Sequence, residues 1–315
     1  MAQPAQPPSG PLQLGGGSWK GVLTRTVREF KRDELTIWAA ALTYYAVLSI
    51  FPGLLVLVSI LGLIGESAIE PLLDNLGTIA PGPAQDILTQ AATGLQESQG
   101  TAGVLFAVGL LLALWSSSGY VAAFMRASNT IYDVPEGRPL WKILPLRLGI
   151  TLVVGTIIAA AALSVVVTGP VARWLGDLVG VGETAVLAWD IVKWPALVLL
   201  ISLVFTILYW ASPNARLAGF RWLTPGGVLA VLLWIIVSVG FALYVANFGS
   251  YNRTYGTLGG VIIFFVWLWL SNLAILLGAE LDAELHRSRA ISTGHPEHQE
   301  PFLPLRDTRK VEPAP

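Results

Sequence analysis

Six apolar stretches decide what this chain can become. Thr36–Ile64, Ala102–Met125, Leu146–Gly169, Val186–Ala211, Pro225–Phe248 and Thr257–Leu281 are each mostly apolar and at least twenty residues long, the length a helix needs to cross a bilayer. The chain is 54% hydrophobic and 12% charged, whereas a soluble domain is nearer a quarter charged. The expected fold is therefore all-α: a polytopic integral membrane protein with six transmembrane helices. In the fourth stretch Asp190 and Lys193 stand three residues apart, close enough to pair at the water boundary and snorkel. The fifth opens at TPGG, with Pro225 at a helix-start position that tolerates its missing N–H.

Charge asymmetry gives the expected orientation. With the N-terminus inside, the inner segments hold five Lys and Arg between Lys20 and Arg32, four at Arg126, Arg138, Lys142 and Arg147, two at Arg216 and Arg221, and five from Arg287 to Lys310. The outer segments hold Arg173, Lys193 and Arg253. Cytoplasmic loops collect Lys and Arg, so both termini are expected in the cytoplasm. Residues 1–18 are rich in Pro, Gly and Gln, without the basic start or apolar run of a secretory signal, and read as a disordered tail. Residues 290–315 read as a second disordered tail.

Residues 19–35 form an expected amphipathic helix. Trp19, Leu23, Val27 and Phe30 share one face, opposite Arg25, Arg28, Lys31 and Arg32, as in a helix lying against anionic headgroups. The transmembrane domain is expected over 36–289. Its outer loop, 65–100, contains two short amphipathic segments, EPLLDNLGTI and PAQDILTQAATGL. They serve either as rim helices or as caps packed on the bundle.

Polar residues inside the spans mark candidate positions. Ser49 lies near the middle of the first span, Ser116, Ser117 and Ser118 just past the middle of the second, and Ser271 and Asn272 near the centre of the sixth. Unpaired polar groups are costly in hydrocarbon, so these are expected to meet one another, backbone, or a wet cavity. Thr43 lies off the Ser49 stripe. Pro52 deprives the Leu48 carbonyl of its helical donor, so the first span is either a kinked packing helix or a kinked cavity wall. The candidate cavity residues are Thr43, Tyr44, Tyr45, Ser49, Pro52, Ser116, Ser117, Ser118 and Asn272. No ionisable residue falls at the middle of a span, which argues against an intramembrane carboxylate relay. At the inner rim Arg126, Asn129, Tyr132, Arg138, Glu280 and Glu284 are expected to form an Arg–Glu gate or latch, the alternative being a solvated cluster that only sets topology.

Three blocks carry a family resemblance: AALTYYAVLSIFPGLLVLVSILGLIG, ASNTIYDVPEGRPLWK and YGTLGGVIIFFVWLWLSNLAILLGAELDAEL. Together they resemble the YihY/BrkB-like family of bacterial inner-membrane proteins, some of which carry an old ribonuclease BN label. The resemblance runs over residues 22–289. It implies six helices and residence in the bacterial plasma membrane, and no settled activity. The positions it carries over are Tyr44, Tyr45, Pro52, Asn129, Tyr132, Glu136, Arg138, Pro139, Tyr255, Gly256, Gly278, Ala279 and Glu280.

The functional expectation is a transporter or flippase of a lipid or amphipathic molecule, with membrane lipids as partners. A non-transporting scaffold of the cell envelope is the alternative. Net charge is -1, and nothing in that balance points to nucleic acid. Metal-assisted phosphodiester hydrolysis needs clustered carboxylates or histidines. Here His286, His295 and His298 sit in or near the C-terminal tail, and the sequence contains no cysteine. No metal, cofactor or catalytic residue is expected, and no ribonuclease activity.

Overall fold

A computed structural model describes residues 16–64, 102–167, 172–173, 176, 180, 182–217, 219–220, 222–247 and 252–311. Seven long helices are described: α1 (Gly16–Arg32), α2 (Leu35–Ile64), α3 (Ala102–Ile131), α4 (Leu140–Val166), α5 (Glu183–Ala211), α6 (Pro225–Asn247) and α7 (Asn252–Ser292). Within α3 to α7, five segments are long and apolar enough to cross a membrane, and α2 contributes the shorter apolar stretch Leu35–Ile50. The chain is thus an all-α, multi-pass membrane protein. The expected outer loop, 65–100, lies outside the described residues, as does residue 221.

Helix ends follow local chemistry. Pro139, in extended backbone, precedes α4. Pro225 opens α6, and the buried backbone N–H of Gly226 donates to Asp282 Oδ1 at 2.8 Å, satisfying one of the donors that a helix start leaves over. Between α1 and α2 the chain turns at Glu34, in the left-handed region with φ 52°; that single residue lets two helices meet without a loop. Two spans outrun their expected bounds. α4 begins at Leu140 rather than Leu146, and α7 continues to Ser292 rather than Leu281. At 1.5 Å per residue α7 is about 60 Å long, roughly twice the hydrocarbon thickness, so its charged end projects beyond the membrane.

Packing is inverted relative to a soluble protein. Leu35 and Leu42 of α2, Phe124 of α3, Leu208 of α5 and Leu276 of α7 are fully buried or nearly so, while Leu111, Trp115, Ile191, Leu199 and Ile236 point outward. Outward apolar residues on every long helix are what contact with acyl chains requires. α7 packs on α6 and also touches α1, α2 and α3; α2 packs on α3, and α4 on α5. The tightest crossing joins α6 and α7. A Cβ on Gly226 would lie 2.0 Å from the Gly278 carbonyl oxygen, and one on Gly278 2.4 Å from that of Gly226. Only glycine fits at either place. The expected Asp190–Lys193 pair forms at 2.7 Å, with Lys193 buried rather than snorkelling.

α1 and residues 293–311 share one end of the bundle, the terminal face, where Arg32 meets Glu300 at 3.5 Å. α1 is amphipathic, with Leu23 and Val27 exposed, while Phe30 of the same expected face packs on the core. Its other apolar flank, Val22 with Trp19, packs against Leu281 and Leu285 of α7.

Residues 293–311, expected as a disordered tail, are instead a strap across the terminal face. Leu305 forms an isolated antiparallel bridge with Ala215, and the Asn214 side chain donates to the Asp307 carbonyl and accepts from the Asp307 N–H, at 2.9 and 3.1 Å. Phe302 is buried beneath the Arg287 guanidinium, 4.3 Å away. A Pro- and charge-rich composition conceals such a segment because its anchors are single residues rather than a periodic stripe.

Candidate functional site

The neutral centre of the bundle is organised by one amide. Asn272 of α7, 4% exposed, donates through Nδ2 to Thr43 Oγ1 of α2 at 3.1 Å. Its Oδ1 accepts from the Tyr120 hydroxyl of α3 at 2.9 Å, and Thr43 passes its own proton to the Ala39 carbonyl at 2.8 Å. Three helices are therefore tied through a single side chain with two donors and one acceptor oxygen. Ser271, next to it, is buried with its hydroxyl unpartnered among the described residues.

The remaining expected cavity residues are placed separately. Ser49 donates to the Tyr45 carbonyl at 2.7 Å, Ser116 to that of Leu112 at 2.8 Å, and Ser118 to that of Trp115 at 2.7 Å. Such bonds to the preceding turn satisfy a hydroxyl within its own helix. Ser117 and Pro52 are half-buried. Tyr45 lies flat over Gly119, where a Cβ would come 2.7 Å from its ring; that glycine in WSSSGY is a slot for an aromatic ring. Tyr44 is exposed, edge-on to Tyr45 at 5.4 Å. None of these residues lines either described cavity. The structure brings Thr43 and Asn272 together and adds Tyr120, whose position two residues past the serine run was the available signal.

Below this level an aromatic column runs toward the terminal face. Tyr120 stacks on Phe124 at 6.5 Å, and Phe124 on Tyr209 of α5 at 6.3 Å. Tyr209 donates to the Ile275 carbonyl at 2.5 Å and forms part of the wall of a cavity of about 100 Å3. Tyr132, Trp210, Asp282, His286 and Arg289 line the same cavity. Leu223 also lines it and is exposed, as is the preceding Trp222. The Thr206 hydroxyl holds this loop by donating to the Trp222 carbonyl at 3.0 Å.

The terminal face is ionic, and its pairs differ from the expected gate. Glu280 is 1% exposed, with Oε2 unpartnered among the described residues. Glu284, one turn on, is held by Arg25 of α1 at 2.5 Å and Arg287 at 3.4 Å. Arg126 is exposed, and Arg138 turns to Glu136 at 2.6 Å, so neither closes on Glu280 or Glu284. The reason is local: in EGR the arginine follows its acid by two residues in extended backbone, and Asn129 holds the same carboxylate at 3.0 Å. Burial alone would push the Glu136 carboxyl up, but hydrogen bonds and attraction from Arg138 hold it below the usual range. Asn129 also accepts from the Asn214 N–H at 2.8 Å, and Arg138 donates to the Ser212 carbonyl at 2.9 Å. This cluster fastens the α3–α4 loop to the strap. Tyr132 is buried, 6.2 Å from the His286 ring.

Beside Glu284, Glu29 of α1 accepts from Arg28 and Arg32 at 3.1 and 3.3 Å. Burial, then the charges of Asp133 and Glu29, push the Asp33 carboxyl up to about 7. Burial, then Glu300, pushes Asp133 up to about 6. Among the described residues no group of three or more His, Asp or Glu is arranged to hold a metal ion.

Arg147 is also displaced from its expected place. It lies seven residues inside α4 rather than at the very start of the span, and its Nη2 donates to Ser118 Oγ of α3 at 2.5 Å.

A family model described as virulence factor BrkB matches residues 26–302. The ribonuclease-like protein YfkH of Bacillus subtilis is 32% identical over 82% of this chain and 93% of its own length. A UPF0761 membrane protein of Alkalilimnicola ehrlichii is 31% identical over 90% of this chain, which spans 64% of that relative's length. Another, from Alteromonas mediterranea, is 28% identical over 82% of this chain and 85% of its own. No solved structure matches the chain.

Proposed function

The chain belongs to the BrkB family of membrane proteins, and on that premise we propose that it transports a lipid or amphipathic molecule across the bacterial plasma membrane, with both termini in the cytoplasm. One observation carries the reading. A cavity on the terminal face is joined by the Tyr209–Phe124–Tyr120 column to a buried amide shared by three helices. In this reading the cavity is an inward vestibule, the stacked rings are a closed gate, and Asn272 is the polar step beyond it. Opening the gate would replace the Tyr120 and Thr43 bonds with bonds to substrate, an exchange that costs little where each bond contributes about 0.6 kcal/mol. The Lys and Arg bias of the terminal side supports a cytoplasmic placement and suits an anionic headgroup. Glu280, expected at the inner gate, lies with its carboxyl buried among acids toward the vestibule end of α7, which makes it the position to vary.

A scaffold without transport is the second reading. It is favoured by Ser49 and Ser116, which bond their own helices, and by Asn272, whose amide is bonded to both Thr43 and Tyr120.

Two experiments separate the readings. The sequence contains no cysteine, so single cysteines at Thr206, Ser117 and Asn272 report directly on water access. Transport predicts labelling of Thr206→Cys from the cytoplasmic side and of Asn272→Cys from either side in turn. Protection of both positions throughout supports the scaffold. Reconstituted vesicles should flip a labelled phospholipid faster than protein-free ones, with Glu280→Gln changing the rate. A rate equal to that of empty vesicles ends the transport reading. The proposal includes no ribonuclease activity: RNA incubated with purified protein and a divalent cation should stay intact.

A further inference from the structure

Among the described residues Arg147 is a half-buried charge without a counter-ion. Among those residues its guanidinium bonds only the neutral Ser118 hydroxyl, at 2.5 Å, and its Nε is buried and unpartnered. Among the described residues no carboxylate pairs with it. The contrast with the rest of the bundle is plain. Arg25, Arg138, Lys142, Lys193 and Arg287 are each drawn into the structure, and each has an acidic partner within 4.0 Å.

Its position makes the omission costly. Arg147 is seven residues beyond Leu140, the first residue of α4, so about 10 Å along that helix. Ser118 is thirteen residues from Ile131, the terminal-face end of α3, so about 20 Å from it, and two residues from the Tyr120 that holds Asn272. A cation at membrane depth faces an aqueous or bundle interior, or takes an anionic partner. A hydroxyl is a hydrogen-bond partner but carries no compensating charge.

The seam between α3 and α4 indicates the source of that anion. Trp115, one turn from Ser118, is 77% exposed; Leu144 and Leu148, flanking Arg147, are 49% and 44% exposed. The guanidinium therefore sits at the back of an apolar, outward-facing seam on the hydrocarbon side of the bundle. A free ion would have to cross that apolar lip, whereas a lipid presents acyl chains to it. The planar guanidinium fork matches the oxygens of a phosphate better than a point charge does. We infer that Arg147 holds the phosphate of a phospholipid whose acyl chains lie over Trp115, Leu144 and Leu148. The site goes beyond the transport reading, because a lipid held here neutralises the charge whether or not any molecule is moved.

Native mass spectrometry of the full-length protein in mild detergent tests this. Three probes are added in turn: phosphatidylglycerol, a phosphate-free diglucosyl diacylglycerol, and inorganic phosphate. The wild type should retain phosphatidylglycerol at least about tenfold better than the glycolipid. Arg147→Gln should abolish that preference, Arg147→Lys should retain part of it, and Arg126→Gln at the exposed rim should leave it intact. Equal retention of the two lipids by the wild type overturns the site without recourse to any variant. So does an unchanged preference in a folded Arg147→Gln protein. Displacement of phosphatidylglycerol by millimolar inorganic phosphate would give the site to a soluble ion and overturn the lipid assignment.

Discussion

The middle and the terminal face of this bundle solve the same problem with different chemistry. Both must bury polar groups where helices converge. The middle uses neutral groups, with Asn272 placed so that Thr43 and Tyr120 use its donors and acceptor. The terminal face buries acids and covers them with arginines: Arg25 of α1 on Glu284 of α7, and Arg32 between Glu29 of its own helix, Asp133 and Glu300. The difference teaches where solvent reaches. Neutral hydrogen bonds are tolerable in hydrocarbon, whereas an ion cluster persists only where water and opposite charge lower its cost. The two regions should therefore respond to different perturbations.

The largest effect is expected where the helices approach most closely. Gly226→Val drives a side chain into the Gly278 backbone, 2.0 Å from where its Cβ would stand. A loss of roughly 3 kcal/mol or more is expected, read as loss of the monodisperse peak in size-exclusion chromatography. A well-folded Gly226→Val protein would show that the crossing is looser than described.

Next comes a pH response confined to the terminal face. The Asp33 carboxyl is raised to about 7 by burial and by Asp133 and Glu29, while its unfolded value is about 4. The folded state therefore binds the proton more tightly, and stability falls as pH rises from about 4 to about 7, remaining low above that. Asp33→Asn should remove the loss, with a gain on the order of 2 kcal/mol at pH 8 and none at pH 4. Thermal melts across that range measure it. Parallel curves for wild type and Asp33→Asn would mean the acids are better screened than their burial implies.

Smaller still is the expected cost of Asn272→Leu, about 1 kcal/mol for two membrane hydrogen bonds, and with no dependence on pH. A pH-dependent loss in this variant would break the distinction between the regions. The smallest effect sharpens it: a double-mutant cycle of Thr43→Val with Asn272→Leu should give a coupling of about 0.6 kcal/mol. A coupling near zero would show that the Thr43–Asn272 contact adds nothing to stability.

Much of the site was legible as composition and little of it as pairing. Asn272 stood out because four hydrogen-bonding positions are hard to satisfy in an apolar helix, and Thr43 was already set apart from the Ser49 stripe. Tyr120 was passed over beside three serines, two of which bond their own helix. Glu284 was expected to meet an arginine and does, but the arginine comes from α1, which reads in sequence as a helix lying on lipid. Arg147 reads in sequence as a topology signal because it stands at the edge of the expected span Leu146–Gly169, whereas α4 begins six residues earlier.

By itself the sequence determined the all-helical class, the positions of the spanning stretches to within a few turns, and the gathering of cationic residues toward one side. Those properties are local sums over hydropathy and charge, and a bilayer imposes them on any chain that enters it. Tertiary structure alone decided the partners: Arg25 rather than Arg138 on Glu284, Tyr120 on Asn272, a strap where a loose tail was expected, and no acid for Arg147 among the described residues. Each of these depends on which helix faces which. That is settled by glycine-to-glycine approach and by the cost of an unmatched polar group across the whole bundle, and neither quantity exists in any single segment.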